Sequence, residues 1–392
     1  MKTRSHHEPA RRPPCLPVLL ALFAVFVAAT GAAAPSVSGI VTDSAGVALA
    51  NIEVCLYAYD VPDFTSEHVH ARALTDGAGC FSLDAPATGD VLLVLGGDQG
   101  AGRVKATASE GGEPVELCYP VRTEIVLLHD NDLHFNFNHR EAFQTLVDKY
   151  RARNDNVFLL NAGDVFIRHP DRWPFPGEDG YFASASSMIE TMNDIGYDAM
   201  TLGNHELDYI SDLTRRALEK ARFPLLGANI EITTDKLPPL QPYYVFATEE
   251  RYSVVVLGLT SFNKEGVNSL DPMRVAKEYS CLRDSYDVFV ALTHIGNSTD
   301  RELAEELHVL DVIIGGHTHG LLEEAAPIGD VLFARAGGTT SGHPVGPEQA
   351  KYLGAVTVVL ENGRVVEKSG YVRTLDAESA VEMPVEKIAP AP

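Results

Sequence analysis

Beyond residue 120, four short apolar runs each stop at a cluster of polar side chains, and this recurrence constrains the fold more than any other feature. Ile125-Val126-Leu127-Leu128 stops at His129-Asp130-Asn131-Asp132-Leu133-His134, and Val157-Phe158-Leu159-Leu160 stops at Asn161-Ala162-Gly163-Asp164. Val288-Phe289-Val290-Ala291-Leu292 stops at Thr293-His294, and Asp311-Val312-Ile313-Ile314-Gly315 at Gly316-His317-Thr318-His319. Helix-length amphipathic stretches lie between or beside them, at Arg140 to Arg151, Phe182 to Ile195, Ser211 to Ala221 and Asp300 to His308. Apolar strands alternating with such helices predict an α/β domain with parallel strands. Parallel strands bring their C-terminal ends to one edge, so the polar endings should converge on a single crevice. After His319, the runs Val331 to Ala334, Ala355 to Leu360 and Arg364 to Arg373 are expected to complete a second sheet.

The earlier part of the chain has a different texture. From Ser36 to about Gly112, alternating runs such as Ile52-Glu53-Val54-Cys55-Leu56 are separated by Asp, Gly and Pro turns. This pattern predicts a small antiparallel β-sandwich. Here Ser38-Gly39-Ile40-Val41-Thr42-Asp43 and Thr75-Asp76-Gly77-Ala78-Gly79-Cys80-Phe81-Ser82-Leu83 resemble carboxypeptidase regulatory-like modules, which implies a positioning role rather than catalysis.

Before the sandwich, Lys2, Arg4, Arg11 and Arg12 precede the apolar run Leu16 to Ala29 and small residues through Ala34. This is the anatomy of a secretory signal peptide, and the run is shorter than the roughly 20 residues that span a bilayer. The expectation is an exported protein, periplasmic or secreted, with no stable membrane anchor after cleavage. A formal net charge of -23 argues against a nucleic-acid duplex as partner, because phosphate contacts need clustered Lys and Arg. Four cysteines remain after the signal, Cys55, Cys80, Cys118 and Cys281. A Cys55–Cys80 bridge is the first expectation, with buried thiols as the alternative. The expected organisation is a signal at 1–34, the sandwich at 35–120, the α/β domain at 121–375 and a disordered tail at 376–392.

Within the α/β domain, Asp132-x-His134, Gly163-Asp164, Gly203-Asn204-His205-Glu206, His294 and Gly316-His317-x-His319 bring together carboxylate, imidazole and amide ligands without a thiolate. That mixture suits Mn²⁺, Zn²⁺ or Fe, and is too rich in nitrogen for Ca²⁺ or Mg²⁺. Any one of these histidines taken singly reads as a core or loop residue; their joint placement at successive strand ends makes the case. In Gly203-Asn204-His205-Glu206-Leu207-Asp208, Asp208 follows His205 at helical spacing and can hold its ring.

These blocks, in this order, resemble the calcineurin-like metallophosphoesterases, and Leu128 to His134 with Gly203 to Asp208 look like the 5′-nucleotidase branch. The resemblance covers roughly Glu124 to Leu375 and implies a four-layer α/β/β/α fold. It also implies two divalent metal ions, with Asp132, His134 and His319 on the first, Asn204, His294 and His317 on the second, and Asp164 between them. The family's dyad falls on His205 and Asp208, and the implied reaction is attack of a metal-bridging hydroxide on a phosphate ester. The substrate class is small phosphorylated molecules, nucleotides foremost.

The substrate side departs from that pattern. The 5′-nucleotidases carry an aromatic clamp for the base in a C-terminal domain, and only a short polar tail follows Leu375 here. Arg168 and Arg172 could meet phosphate oxygens, and Trp173 or Phe175 could stack on a flat group; a proline-stiffened structural loop is the competing reading. His343 is a further candidate for the same rim. Two alternatives stay open: a phosphodiesterase acting on cyclic nucleotides or other diesters, and a catalytically silent binding protein on the same fold.

Overall fold

The computed structural model describes residues 34–96, 102–137, 139–166, 177–262, 264–338 and 352–375. The tail and all of the signal segment but Ala34 lie outside these. The chain divides between Val121 and Arg122 into two compact units.

The first unit contains β1 (Ser36–Thr42), β2 (Glu53–Ala58), β3 (Ala71–Leu74), β4 (Cys80–Asp84), β5 (Gly89–Leu95), β6 (Gly102–Ala108) and β7 (Val115–Cys118). They form two sheets, β4-β1-β7 and β3-β2-β5-β6. Side chains alternate between the faces of a strand, so Val37, Val41, Phe81 and Leu83 of one sheet meet Val54, Leu56, Leu93 and Leu95 of the other in one core. The sandwich is not wholly antiparallel. β7 joins β1 in parallel, because the chain has passed through β5 and β6 of the other sheet before it returns.

The expected Cys55–Cys80 bridge is not formed. Cys55 neighbours Val54 and Leu56 in sequence, so it points to the opposite face of its sheet, where it is buried with Tyr57, Leu92 and Val94. Cys80 sits on β4 in the other sheet. The alternation that builds the core keeps the two thiols apart.

The second unit contains β8 (Arg122–Asp130), α1 (Arg140–Arg151), β9 (Val157–Asn161), α2 (Gly177–Ile195), β10 (Ala199–Thr201), α3 (Asn204–Asp208) and α4 (Asp212–Leu218). Next come β11 (Leu225–Leu226), β12 (Ile230–Ile232), β13 (Tyr243–Ala247), β14 (Ser253–Thr260), β15 (Val267–Ser269), α5 (Pro272–Glu278), β16 (Val288–His294) and α6 (Asn297–Glu306). The series ends with β17 (Val312–Gly315), β18 (Ala326–Ile328), β19 (Val331–Ala334), β20 (Tyr352–Glu361) and β21 (Arg364–Thr374).

Two six-stranded sheets result, ordered β11-β10-β9-β8-β20-β21 and β13-β14-β16-β17-β19-β18. Strands β8 to β11 pair in parallel, as do β14, β16, β17 and β19. Three buried layers define the stack. Ile125, Leu127 and Leu160 meet Val254, Val256, Val290 and Ile314 between the sheets. On the far side of the first sheet, Val126 and Leu128 pack with Phe143, Leu146, Met188 and Ile189 of α1 and α2. On the far side of the second, Val255, Leu257 and Phe289 pack with Val275 of α5 and Leu303 of α6. The architecture is α/β/β/α, with strands buried on both faces and therefore apolar along their length.

One sequence expectation needs correction. β20 and β21 do not complete the second sheet; β20 pairs antiparallel with β8 in the first. Asn362 (φ 47°) and Gly363 (φ 75°) supply the two left-handed residues of a tight hairpin. That hairpin fills the edge of β8 opposite β9, and Val356, Val358 and Leu360 of β20 enter the layer between the sheets.

Candidate metal centre

The polar residues that end the parallel strands do gather, and the backbone bends sharply to bring them together. After β8 the chain runs beside the segment that follows β9: the N–H groups of Asp132, His134 and Phe135 donate to the carbonyls of Gly163, Asp164 and Val165 at 2.9, 3.0 and 2.8 Å. Asp132, His134, Asp164, His317 and His319 all have positive φ, between 49° and 73°. This left-handed region is uncommon for residues with a side chain, although Asp and His tolerate it better than most. Sparsely populated conformations cost about 1–3 kcal/mol each and cluster at functional sites. Glycines provide the clearance. A Cβ on Gly203 would lie 2.1 Å from Asp164 Oδ1, and one on Gly163 (φ +86°) would lie 2.8 Å from His294 Nδ1.

Three overlapping groups could each hold a metal ion: Asp132, His134 and His319; His134, Asp164 and His205; and Asp164, His294 and His317. Within each group the ligand atoms lie within 4.8 Å of one another. In the first, His134 Nε2 is 3.3 Å from His319 Nε2 and 4.0 Å from Asp132 Oδ1, and His319 Nε2 is 3.3 Å from the same oxygen. His134 Nδ1 donates to the Phe166 carbonyl at 2.9 Å, which leaves Nε2 as a lone pair. Burial pulls the His134 pKa down to about 4, and burial lowers that of His319 as well. His134 Nε2 therefore presents a lone pair beside His319 Nε2 and Asp132 Oδ1, a set of donor atoms that a cation fits.

In the third group, His294 Nε2 lies 3.2 Å from Asp164 Oδ2 and 3.2 Å from Asn204 Oδ1, while its Nδ1 donates to the Ala162 carbonyl at 2.7 Å. His317 Nδ1 lies 2.8 Å from the same Asn204 oxygen. Burial lowers the His294 pKa, but the neighbouring Asp164 and Asp132 carboxylates outweigh it and raise it to about 10. In the metal-free chain a proton thus sits where a cation would neutralise the same oxygens.

His205 Nδ1 is 2.8 Å from Asp208 Oδ2, and its Nε2 is 3.7 Å from Asp164 Oδ2. Burial lowers the His205 pKa, yet the Asp208 hydrogen bond and the charge of Asp164 raise it above the ordinary value. The ring is therefore oriented by Asp208 at one nitrogen and turned toward the metal-ligand groups at the other. Arg168, Arg172, Trp173, Phe175 and His343 lie outside the described residues. Tyr181, just beyond them, is fully buried in the core of the first sheet's helical side.

Several supporting residues had no visible role in the sequence. Asp130, behind the site, accepts from Tyr197 Oη at 2.5 Å and from Asn161 Nδ2 at 2.8 Å, and Asn161 Oδ1 accepts the Gly163 N–H at 2.9 Å. Arg335 is 3% exposed and donates to Asp300 Oδ2 at 3.2 Å and to Thr318 Oγ1; Asp300 also accepts from Thr293 Oγ1 at 2.6 Å. This buried pair therefore contacts the residues flanking His294, His317 and His319. A lone Arg in the apolar run Val331-Leu332-Phe333-Ala334-Arg335-Ala336 is the one sequence signal that marks it.

Comparison with known proteins follows the same residues. Residues 125–321 match the calcineurin-like phosphoesterase family, about half of the chain. A 5′-nucleotidase of Diplobatis ommata is 30% identical over 298 residues, covering 67% of this chain and 50% of that protein. The trifunctional nucleotide phosphoesterase protein YfkN of Bacillus subtilis (strain 168) is 26% identical over 297 residues, covering 62% of this chain and 18% of that protein. The chain thus spans half or less of the length of these two relatives. A solved 5′-nucleotidase precursor from Thermus thermophilus aligns with a TM-score of 0.52 at 25% identity, over 65% of this chain and 55% of that one. With the strand-end motifs, the four-layer fold and this match in agreement, the chain belongs to the calcineurin-like phosphoesterase family.

Proposed function

We propose that this chain is an exported, dinuclear-metal phosphoesterase that hydrolyses phosphate monoesters, 5′-nucleotides foremost. The observation that carries the reading is the overlap of the three ligand groups: His134 is shared by the first and second and Asp164 by the second and third, so one continuous set of ligands runs from Asp132 and His319 to His294 and His317. Asp132, His134 and His319 would hold one ion, Asn204, His294 and His317 the other, and Asp164 would contact both. Two divalent ions, Mn²⁺, Zn²⁺ or Fe by the donor set, supply Lewis acidity to the phosphoryl oxygens and lower the pKa of water.

The chain's own residues do the rest. Asp208 holds His205 Nδ1, so a proton on Nε2 faces the site and can stabilise a phosphoryl oxygen or pass to the leaving group. The carbonyls of Phe166 and Ala162 fix the rings of His134 and His294, which keeps both Nε2 atoms pointed inward. Export rests on the segment at 1–34, and the nucleotide preference on the named activities of relatives.

A hydrolysis screen of purified protein with added Mn²⁺ or Zn²⁺ tests this reading. Nucleoside 5′-monophosphates and glycerol phosphate should be cleaved well ahead of cyclic nucleotides and an activated diester. Preference for the diesters would favour the phosphodiesterase alternative. Bound metal without turnover on any ester would leave a binding protein.

A further inference from the structure

Glu206 belongs to none of the three ligand groups, yet it is 0% exposed. Its Oε2 accepts the N–H of Asp164 at 2.9 Å and of Gly203 at 2.8 Å, and its Oε1 accepts the N–H of Phe166 at 2.8 Å. A carboxyl group has acceptor sites for all three. The bond to Gly203 is ordinary helix capping, since Glu206 lies at the third position of α3 and reaches back to the residue before it. Capping does not explain the other two, which cross to residues 42 and 40 positions earlier.

Each donor is tied to a different proposed ligand. Asp164 is one itself, and Gly203 directly precedes Asn204. The Phe166 carbonyl accepts His134 Nδ1 at 2.9 Å. Asp164 returns the link, because its Oδ1 accepts the N–H of His205 at 2.8 Å. Two carboxylates thus lace the strap after β9 to the strap after β10, and only one of them belongs to a ligand group.

We propose that Glu206 is the positioning residue of the metal centre: it clamps these two straps so that Asp164, Asn204 and His134 converge. The inference rests on the dinuclear reading above. Its test is Glu206→Gln, which keeps length and volume. The amide oxygen can replace Oε2, where two donors converge, and the amide NH₂ then faces the N–H of Phe166. The hold on Phe166 and His134 is lost first, so the ion on Asp132, His134 and His319 should suffer more than the ion on Asn204, His294 and His317.

Calorimetric titration of Mn²⁺ into the metal-stripped full chain should show two binding events in the wild type. In the variant one event should weaken by roughly 10- to 100-fold, the usual effect of losing a residue that supports a ligand. Equal affinities for wild type and variant, with only a lower Tm of the metal-free form, would make Glu206 a fold residue and overturn the proposal. No ion uptake by the wild type would overturn the dinuclear reading and this inference together. If the variant does not fold, amide exchange in the metal-free wild type decides: the N–H groups of Asp164, Phe166 and Gly203 should exchange with the slow core set. Exchange at the rate of exposed loop amides overturns the clamp.

Discussion

The two units bury opposite kinds of side chain. Among the described residues of the first unit, Thr75 is the one polar side chain that is buried, and Asn51 is the one non-glycine with positive φ. The second unit buries Asp132, His134, Asp164, His205, Glu206, His294, Asp300 and Arg335, and holds five of its proposed ligands at positive φ. Its His129 is 1% exposed, and burial drives its pKa down to about 3. Burying polar groups costs free energy unless each is paired. A small sandwich whose inside is Val, Leu and Phe avoids that cost, whereas the α/β unit accepts it at one edge of two sheets. The difference teaches that one unit spends its interior on packing and the other sets part of it aside for polar groups.

Asp164→Ala should break the contrast most completely. Removing the carboxylate shared by two groups should take the metal content from about two ions per chain to near none and abolish turnover, as elemental analysis and an ester assay would show. Retention of one tightly bound ion would mean that Asp164 serves only one site. His205→Ala comes next and should separate holding metal from using it. Metal content should stay at the wild-type level while kcat falls by roughly 10²-fold or more, with a smaller loss for esters whose leaving groups need no proton. An equal loss for good and poor leaving groups would point to charge stabilisation instead of proton transfer.

The smallest effect on hydrolysis should come from the other side of the comparison. Leu93 lies in the core between the two sheets of the sandwich, and Leu93→Ala should destabilise that unit by about 2–5 kcal/mol. Denaturant unfolding followed by a probe in the first unit should report that loss, while metal content and kcat/KM stay unchanged. A parallel fall in metal content would show that the second unit depends on the first.

How much of this could be read from the chain depends on whether the signal was local. Alternation over a few residues was enough for the sandwich, and apolar runs interrupted by helix-length periods were enough for the α/β unit. That Asp132, His134, Asp164, Asn204, His294, His317 and His319 gather in one place was legible because each ends an apolar run or opens a helix, and strand ends meet at one edge. The Cys55–Cys80 bridge failed because sequence proximity of two strands does not say which sheet each joins. The placement of β20 and β21 failed for the same reason. Sequence order places them last, but β8 had an open edge to which a tight hairpin could add.

The sequence by itself therefore determined the two textures, the order of strands and helices, and the residue types that arrive at the crevice. These follow from the periods of a strand and a helix, which are properties of a few neighbouring residues. Only the tertiary structure decided which segments share a sheet, which carbonyls fix His134 and His294, and that Glu206 spans two straps some forty residues apart. A hydrogen bond depends on positions within about 3 Å, and for residues far apart in the chain those positions exist only after the sheets have packed.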